Sequence, residues 1–527
     1  MIDGSMQDYP LTLDKFLHHA AKWHPDAEVI TAREGGGIDR IGYAALRDRA
    51  LAVSSLLSGF GVRQGHRVAT LAWNSQAHVE AWYAIMGMGA VCHTLNPRLT
   101  AAQLADMVVQ SGATLLIVSA DLQPLGRAIA ERVPALSLML VIDGVPDAAA
   151  VGTCAVTALE PLIATAPGGM AWGDFPETTP CGLCFTSGTT GAPKGVTYTH
   201  RASFLHTLRC LQADVMAIRA SDSVLVVVPM FHANAWGLPF ALPAAGGRLV
   251  LPGRATDGAS LARLIAAADV TIGVAVPTVW LGVAEHLEAT GETLPGLQRI
   301  IVGGSPLAPA LMERIERVLG VTVQTSWGMT ELSPSGTVAP PDDPQRNAAV
   351  SGRPAIGVDL LLTDADGVPL SEQRDAEGHL RVRGAAVVDR YFGQDAPATD
   401  ADGWFATGDL ARIDRHGNLI ITGRAKDLIK SGGEWINPAE IEAVVGALPQ
   451  VSLAAVIGRE DPKWGERPLL LVEMQDDALS DDELLAPLRG RVASWWIPDA
   501  IVRLPAMPLA PTGKIDKNSL RSRYGSA

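Results

Sequence analysis

Short apolar, β-branched runs alternate with longer stretches whose apolar residues recur at helical spacing through most of this chain. The runs at 67–72, 114–118, 138–142, 223–228, 270–274, 299–302 and 321–325 predict strands. Helices are predicted over 76–89, 261–267 and 307–319. Such alternation builds α/β layers on mainly parallel sheets. The texture changes after about Asp342. Segments 359–363, 379–382 and 418–421 are separated by Asp-Gly and Gly-Asn turns, which predict antiparallel hairpins. A small α+β unit follows, with a helix over 438–447, strands over 451–457 and 469–472, and a helix over 481–493. The expected boundary lies just after the last hairpin, giving domains 1–424 and 425–527. The fold expected is thus α/β: a large N-terminal domain of layered sheets plus a hairpin-rich subdomain, then a small α+β domain. Pro/Gly-rich stretches at 166–168 and 340–344 read as surface loops, and there is no internal repeat.

At 527 residues the chain exceeds what one hydrophobic core supports. No apolar run reaches the ~20 residues that span a bilayer. The first residues carry acids and a proline, not a basic region and apolar core, so no signal peptide is expected and the cytoplasm is. Five scattered cysteines fit a reducing compartment. Cys181 and Cys184 have metal-knuckle spacing, but no second pair follows and the segment reads as a buried strand. A net charge of −14 argues against nucleic acid, whose phosphates demand a basic face. A nucleotide needs only a local group of N–H donors and cations.

The strongest local signal is Thr186-Ser-Gly-Thr-Thr-Gly-Ala-Pro-Lys-Gly195, directly after an apolar strand. Its glycines free the backbone to present N–H groups to an anion, while four hydroxyls and Lys194 add donors and charge. No Gly-Lys-Ser/Thr unit closes it, so it is not a Walker loop. A Ser/Thr/Gly stretch is commonly an ordinary turn. The preceding strand and the lysine favour an anion site.

With Ser326-Trp-Gly-Met-Thr-Glu331, Thr407-Gly-Asp409, Gly423-Arg424 and Pro511-Thr-Gly-Lys514, this loop resembles the AMP-forming adenylating superfamily. That superfamily includes acyl-CoA synthetases, luciferases and peptide-synthetase adenylation domains. The resemblance covers nearly the whole chain, in order. It implies a large N-terminal domain, a mobile C-terminal domain, and the substrates ATP, coenzyme A and a carboxylic acid, with Mg2+. It places Thr186, Ser187, Gly188, Thr189, Thr190 and Lys194 on the phosphates, and Thr186 and Glu331 on the metal. Gly304, Ser305, Ser326, Trp327, Gly328, Met329 and Thr330 would line the nucleotide, with Trp327 stacking on adenine. Asp409 would accept hydrogen bonds from the ribose hydroxyls, Arg424 would donate to sugar or phosphate, and Lys430 would join them. Lys514 would bridge the acyl carboxylate and the α-phosphate. For the second half-reaction, the resemblance makes Lys426 the hinge and assigns Ser431, Gly432, Gly433 and Trp435 to the coenzyme A tunnel.

In Pro229-Met-Phe-His-Ala-Asn-Ala-Trp236, His232 and Trp236 are by composition alone ordinary core residues. The resemblance instead sets His232 beside the acyl carboxyl, with catalytic Lys514 and Glu331, and makes Trp236 the gate of an acyl tunnel. Gly303 and Gly304 would allow close backbone approach to the acyl group. His93-Thr-Leu-Asn-Pro-Arg-Leu99 and Gly432-Gly-Glu-Trp-Ile-Asn437 look most like bacterial medium- and long-chain fatty acyl-CoA synthetases and methylmercaptopropionate-ligase relatives. A medium- or long-chain fatty acid is the expected substrate. An aryl-substituted or short branched acid, transfer to a carrier protein, and a non-catalytic nucleotide-binding regulator remain alternatives. The same subgroup suggests a homodimer.

Overall fold

Strand Leu115–Ser119 is buried along its whole length, as a strand covered on both faces must be. In the computed structural model it is central to the second of two stacked sheets. The structure describes residues 3–186, 193–432, 434–475, 479–510 and 514–526. Among these, nine strands form the first sheet, in the order Arg353–Pro354, Ser335–Val338, Thr322–Gly328, Arg299–Val302, Ile272–Ala275, Ser223–Val226, Arg248–Leu251, Glu28–Ala32 and Ile38–Gly42. Its middle is parallel and its two margins antiparallel. The second sheet runs from Gly195–Thr199 through Pro180–Phe185, Val91–Thr94 and Arg67–Leu71 to Leu115–Ser119, then out to Ala150–Val151.

Helices Asp14–Trp23, Tyr43–Gly59 and Gln76–Gly87 join these sheets into one apolar core, in which Trp82, Tyr83, Tyr43 and Phe240 are fully buried. Local signals fix the helix ends. Thr100 and Gln103 form a reciprocal capping box ahead of Ala101–Ser111, and Gly112, at φ +68°, ends that helix where a Cβ would be strained. Cys181 and Cys184 lie buried in strand Pro180–Phe185, as expected.

The predicted hairpins form a third, antiparallel sheet of Val358–Thr363, Ala376–Gly384, Phe405–Ile413 and Leu419–Arg424. A short turn, Ala425–Asp427, follows it. Beyond that turn the chain builds hydrophobic clusters of its own around Val451–Asp461 and Gly465–Met474. The helix expected over 481–493 is shorter. Asp481–Leu485 passes into a 3₁₀ turn at Ala486–Leu488, because Pro487 has no N–H to continue the ladder and Gly490 turns at φ +77°. Strand Ala500–Leu504 and helix Lys517–Tyr524 complete this unit and were not expected from the sequence. No described helix is long and apolar enough to cross a membrane.

Candidate active site

Asp409 and Arg424 are directly paired across neighbouring antiparallel strands, so register alone brings opposite charges together. Arg424 Nε stands 2.6 Å from Asp409 Oδ1, and Trp327 Nε1 donates to Asp409 Oδ2 at 2.9 Å. The carboxyl is 2% exposed. Burial raises its pKa, while Arg424, Trp327 and Lys514 pull the other way. A neighbouring-strand arginine and a tryptophan from a different sheet thus contact one buried acid, with Lys514 close enough to act on its charge.

Trp327 reaches that acid because strand Thr322–Gly328 is pinned by its neighbour, with Trp327 opposite Thr337 and Gly328 opposite Ser335. Gly328 must be glycine, since a Cβ would run into the Pro334 carbonyl. The Met329 N–H donates to that carbonyl at 3.0 Å, and the buried Thr330 and Glu331 follow in a short turn. Glu331 Oε1 accepts the Tyr391 hydroxyl at 2.9 Å, and the Lys194 ammonium sits 4.7 Å from the centre of the same tyrosine ring. Tyr391 was not anticipated. It lies in an unremarkable loop, and only folding sets it between the two charges.

Thr186 and Lys194 close the base of the phosphate loop. The Thr186 N–H donates to the Lys194 carbonyl at 2.9 Å, and the Lys194 N–H to Thr186 Oγ1 at 3.3 Å. Ser187, Gly188, Thr189 and Thr190 lie outside the described residues, as does Gly433. The Thr186 hydroxyl and Glu331 carboxylate are oxygen donors of the kind a hard divalent cation takes. Among the described residues no group of three or more His, Cys, Asp and Glu could hold a metal. Any such ion at these two oxygens would need its remaining ligands from outside the described residues.

Lys514 arrives from the C-terminal unit and opens onto this cleft with exposed surface. The protein crowded around its ammonium lowers its pKa, as do Arg424 and Lys426, while Asp409 and Glu331 oppose the shift. His232 is electrostatically within reach of Lys514. Burial pushes its pKa down to about 4, with Lys514 and Arg98 adding to the shift, so the imidazole is neutral at physiological pH.

The loop that follows strand Ser223–Val226 has an unusual backbone. Ala233, Asn234, Ala235 and Trp236 all have φ between 45° and 55°, followed by Gly237 at 76°. Asn74 secures the strand leading into it, donating to the Val226 and Val228 carbonyls and accepting the Met230 N–H at 2.8 Å. Trp236 lies against Gly303 and Gly304: a Cβ on Gly303 would sit 3.0 Å from the indole and collide with Ser326 Oγ. Ser326 Oγ donates to the Val302 carbonyl at 3.0 Å, and Ser305 follows at the partly buried end of this turn.

Lys430 stands on strand Ile429–Ser431 with its ammonium 5.5 Å from the Trp435 ring centre, beside Ser431 and Gly432. The Gly432 N–H donates to the Trp464 carbonyl, and the Trp464 ring occupies the space a Cβ on Gly432 would need. These residues form one face of the C-terminal unit. Lys426 is exposed in the turn that precedes it.

A fold of two α/β sheets with an appended α+β unit, joined at a cleft of phosphate-loop, carboxylate and lysine groups, defines an adenylate-forming ligase. The profile of the AMP-binding enzyme family matches residues 17–392, and that of the AMP-binding enzyme C-terminal domain matches 440–514. The chain belongs to the AMP-binding enzyme family, in its acyl-CoA ligase branch. It is 39% identical to 3-methylmercaptopropionyl-CoA ligase of Ruegeria pomeroyi, over 99% of this chain and 98% of the relative. It is 38% identical to the medium-chain-fatty-acid–CoA ligase of Ectopseudomonas oleovorans, over 99% and 97%. The crystal structure of ATP-bound MatB from Rhodopseudomonas palustris superposes with a TM-score of 0.85 at 25% identity, covering 98% and 99% of the two chains.

Replacing Tyr391 with phenylalanine removes the hydroxyl from Glu331 and leaves the ring under Lys194. A neutral donor to a carboxylate contributes about 1.5–3 kcal/mol. The expected result is a rise of roughly tenfold or more in the KM for ATP, measured by pyrophosphate exchange, with the KM for coenzyme A unchanged.

Proposed function

We propose that this protein activates a medium- or long-chain fatty acid with ATP, releasing pyrophosphate, and transfers the acyl group from acyl-AMP to the thiol of coenzyme A. The observation that supports this reading is the convergence of Lys514, Asp409, Arg424, Glu331 and His232 on one cleft. The acid is already a carboxylate at neutral pH, so no general base is required. The demand is charge neutralisation and positioning. The Lys514 ammonium stands between carboxylate and α-phosphate as one oxygen–phosphorus bond forms and the bond to pyrophosphate breaks. Asp409 holds the ribose hydroxyls and Arg424 steadies the sugar–phosphate. His232, being neutral, borders the acyl carboxyl without adding charge. Thr186 and Glu331 would hold Mg2+, which supplies neutralisation of phosphate charge.

The second half-reaction requires room for the thiol at the anhydride carbonyl. We assign residues 425–527 to a mobile domain that turns at Lys426, withdrawing Lys514 and presenting the face of Lys430, Ser431, Gly432 and Trp435. The thiolate then attacks the carbonyl, the carbonyl–phosphate bond breaks, and AMP leaves with its electron pair. Lys426→Pro restricts φ at the pivot. Adenylation should stay within twofold of wild type, while thioester formation falls at least tenfold. Unchanged coenzyme A turnover in that variant contradicts the pivot.

AMP release is measured against a panel of straight-chain acids, 3-methylmercaptopropionate and an aryl acid, with and without coenzyme A. Each buried methylene contributes about 0.8 kcal/mol, so kcat/KM should climb roughly fourfold per carbon until the pocket is full. A flat response with strong turnover of the aryl acid, or formation of ADP, overturns the proposal. We also place the protein in the cytoplasm and, from the subgroup it resembles, expect a homodimer, whose mass light scattering of the purified protein measures.

A further inference from the structure

The segment after the phosphate loop grips the far side of the cleft. From strand Gly195–Thr199, the Tyr198 hydroxyl donates to the Thr330 carbonyl at 2.8 Å, beside Glu331. From helix His200–Cys210, His206 Nε2 accepts the Ser335 N–H at 3.2 Å, and Arg209 Nη2 donates to the Ser335 carbonyl at 2.9 Å. Two buried side chains one helical turn apart thus hold both backbone polar groups of a single residue. Ser335 is opposite Gly328 in the sheet, so the clamp fixes the segment that carries Trp327 and Glu331.

The same imidazole touches the other wall. Gly237 ends the left-handed run that carries Trp236, and a Cβ there would lie 2.8 Å from His206 Nδ1. To accept from Ser335, the ring must be neutral with its proton on Nδ1, where Cys210 Sγ lies 3.6 Å away. Complete burial, with Arg209 nearby, holds it in that neutral form. His206 is therefore wedged between the loop 233–237 and the strand 335–338.

We propose that His206 is a positioning residue that couples the two walls, so that acid and AMP each bind more tightly when the other is present. The inference rests on the assignment of 233–237 to the acyl side. Acid binding against Trp236 moves Gly237. The ring follows because no free space separates it from the glycine, and Ser335 follows the ring through its N–H. By linkage, AMP affects acid affinity by the same factor. Nothing in Ser326–Glu331 needs to touch the acid for this to occur.

Titration calorimetry of the full chain measures the affinity for decanoate alone and with saturating AMP, and for AMP with and without decanoate. The expected enhancement is about tenfold in both directions for the wild type. His206→Ala should bring the ratio close to one. His206→Gln, which restores an acceptor for the Ser335 N–H, should recover part of it. Val283→Ala, a cavity variant in the other core of the first sheet, should lose melting temperature and keep the full ratio. Should His206→Ala fail to fold, Gly237→Ala, which drives a methyl into the ring, should lower the ratio instead. A full ratio in His206→Ala, or an equal loss in Val283→Ala, overturns the coupling. AMP release from decanoate with a wild-type ratio of one overturns the coupling alone. Neither release nor acid binding overturns the fatty-acid reading as well.

Discussion

Replacing Lys514 with alanine is expected to lower acyl-adenylate formation about 10²–10³-fold, the usual effect of removing one preorganised charge aimed at a transition state. Thioester formation from supplied acyl-adenylate and coenzyme A should remain within a few-fold of wild type. Pyrophosphate exchange reports the first step and direct thioester analysis the second. The environment of Lys514 adds a pH signature. Its pKa is lowered by the protein crowded about it and by Arg424 and Lys426, so the active ammonium is lost as pH rises, earlier than for a free lysine. Adenylation should therefore show an alkaline limb below the ordinary lysine pKa, and the second step should lack it. Equal losses in both half-reactions would remove Lys514 from the adenylation role.

Asp409→Asn is expected to separate function from stability. The change replaces the charged acceptor of Arg424 and Trp327 with a neutral one and weakens any grip on ribose. Charge-assisted hydrogen bonds contribute about 1.5–3 kcal/mol, so the KM for ATP should rise roughly 10–100-fold. Stability should move differently. Burial raises the Asp409 pKa despite its partners, so the folded protein carries a cost for the ionised form above that pKa. Arg424 is 40% exposed and regains water when its partner is neutralised. Melting at pH 7 should thus be unchanged or higher in the variant. As pH falls through the raised pKa, protonation relieves the wild type and the two proteins should converge. A large neutral-pH loss of melting temperature in Asp409→Asn would show that the ion pair outweighs its desolvation.

Much of this architecture was legible because parallel strands buried on both faces must be continuously apolar. Leu115–Ser119 and Leu138–Ile142 could hardly be read otherwise. The hairpins were legible through their Asp-Gly and Gly-Asn turns. The end of the helix after Ser480 was misread because an amphipathic pattern continues past Pro487, where the hydrogen-bond ladder does not. Strand Ala500–Leu504 is short and only partly buried, and so carries a weak signal. At the site, motifs announced Asp409, Arg424, Glu331 and Lys514, since each sits in a contiguous pattern. Tyr391, Asn74 and His206 act across long sequence separations through single side chains, and no local pattern marks such residues.

The left-handed run at 233–236, which we assign to the acyl side, is a strained stretch of backbone. An L-residue in that conformation costs roughly 1–2 kcal/mol relative to the right-handed form, and four stand in succession. Such a wall is held in place by its surroundings, including the packing of Trp236 on Gly303 and of His206 on Gly237. Part of the cost of holding this backbone is therefore already carried by the folded protein before any ligand arrives, so a substitution that loosens its supports should let the loop relax.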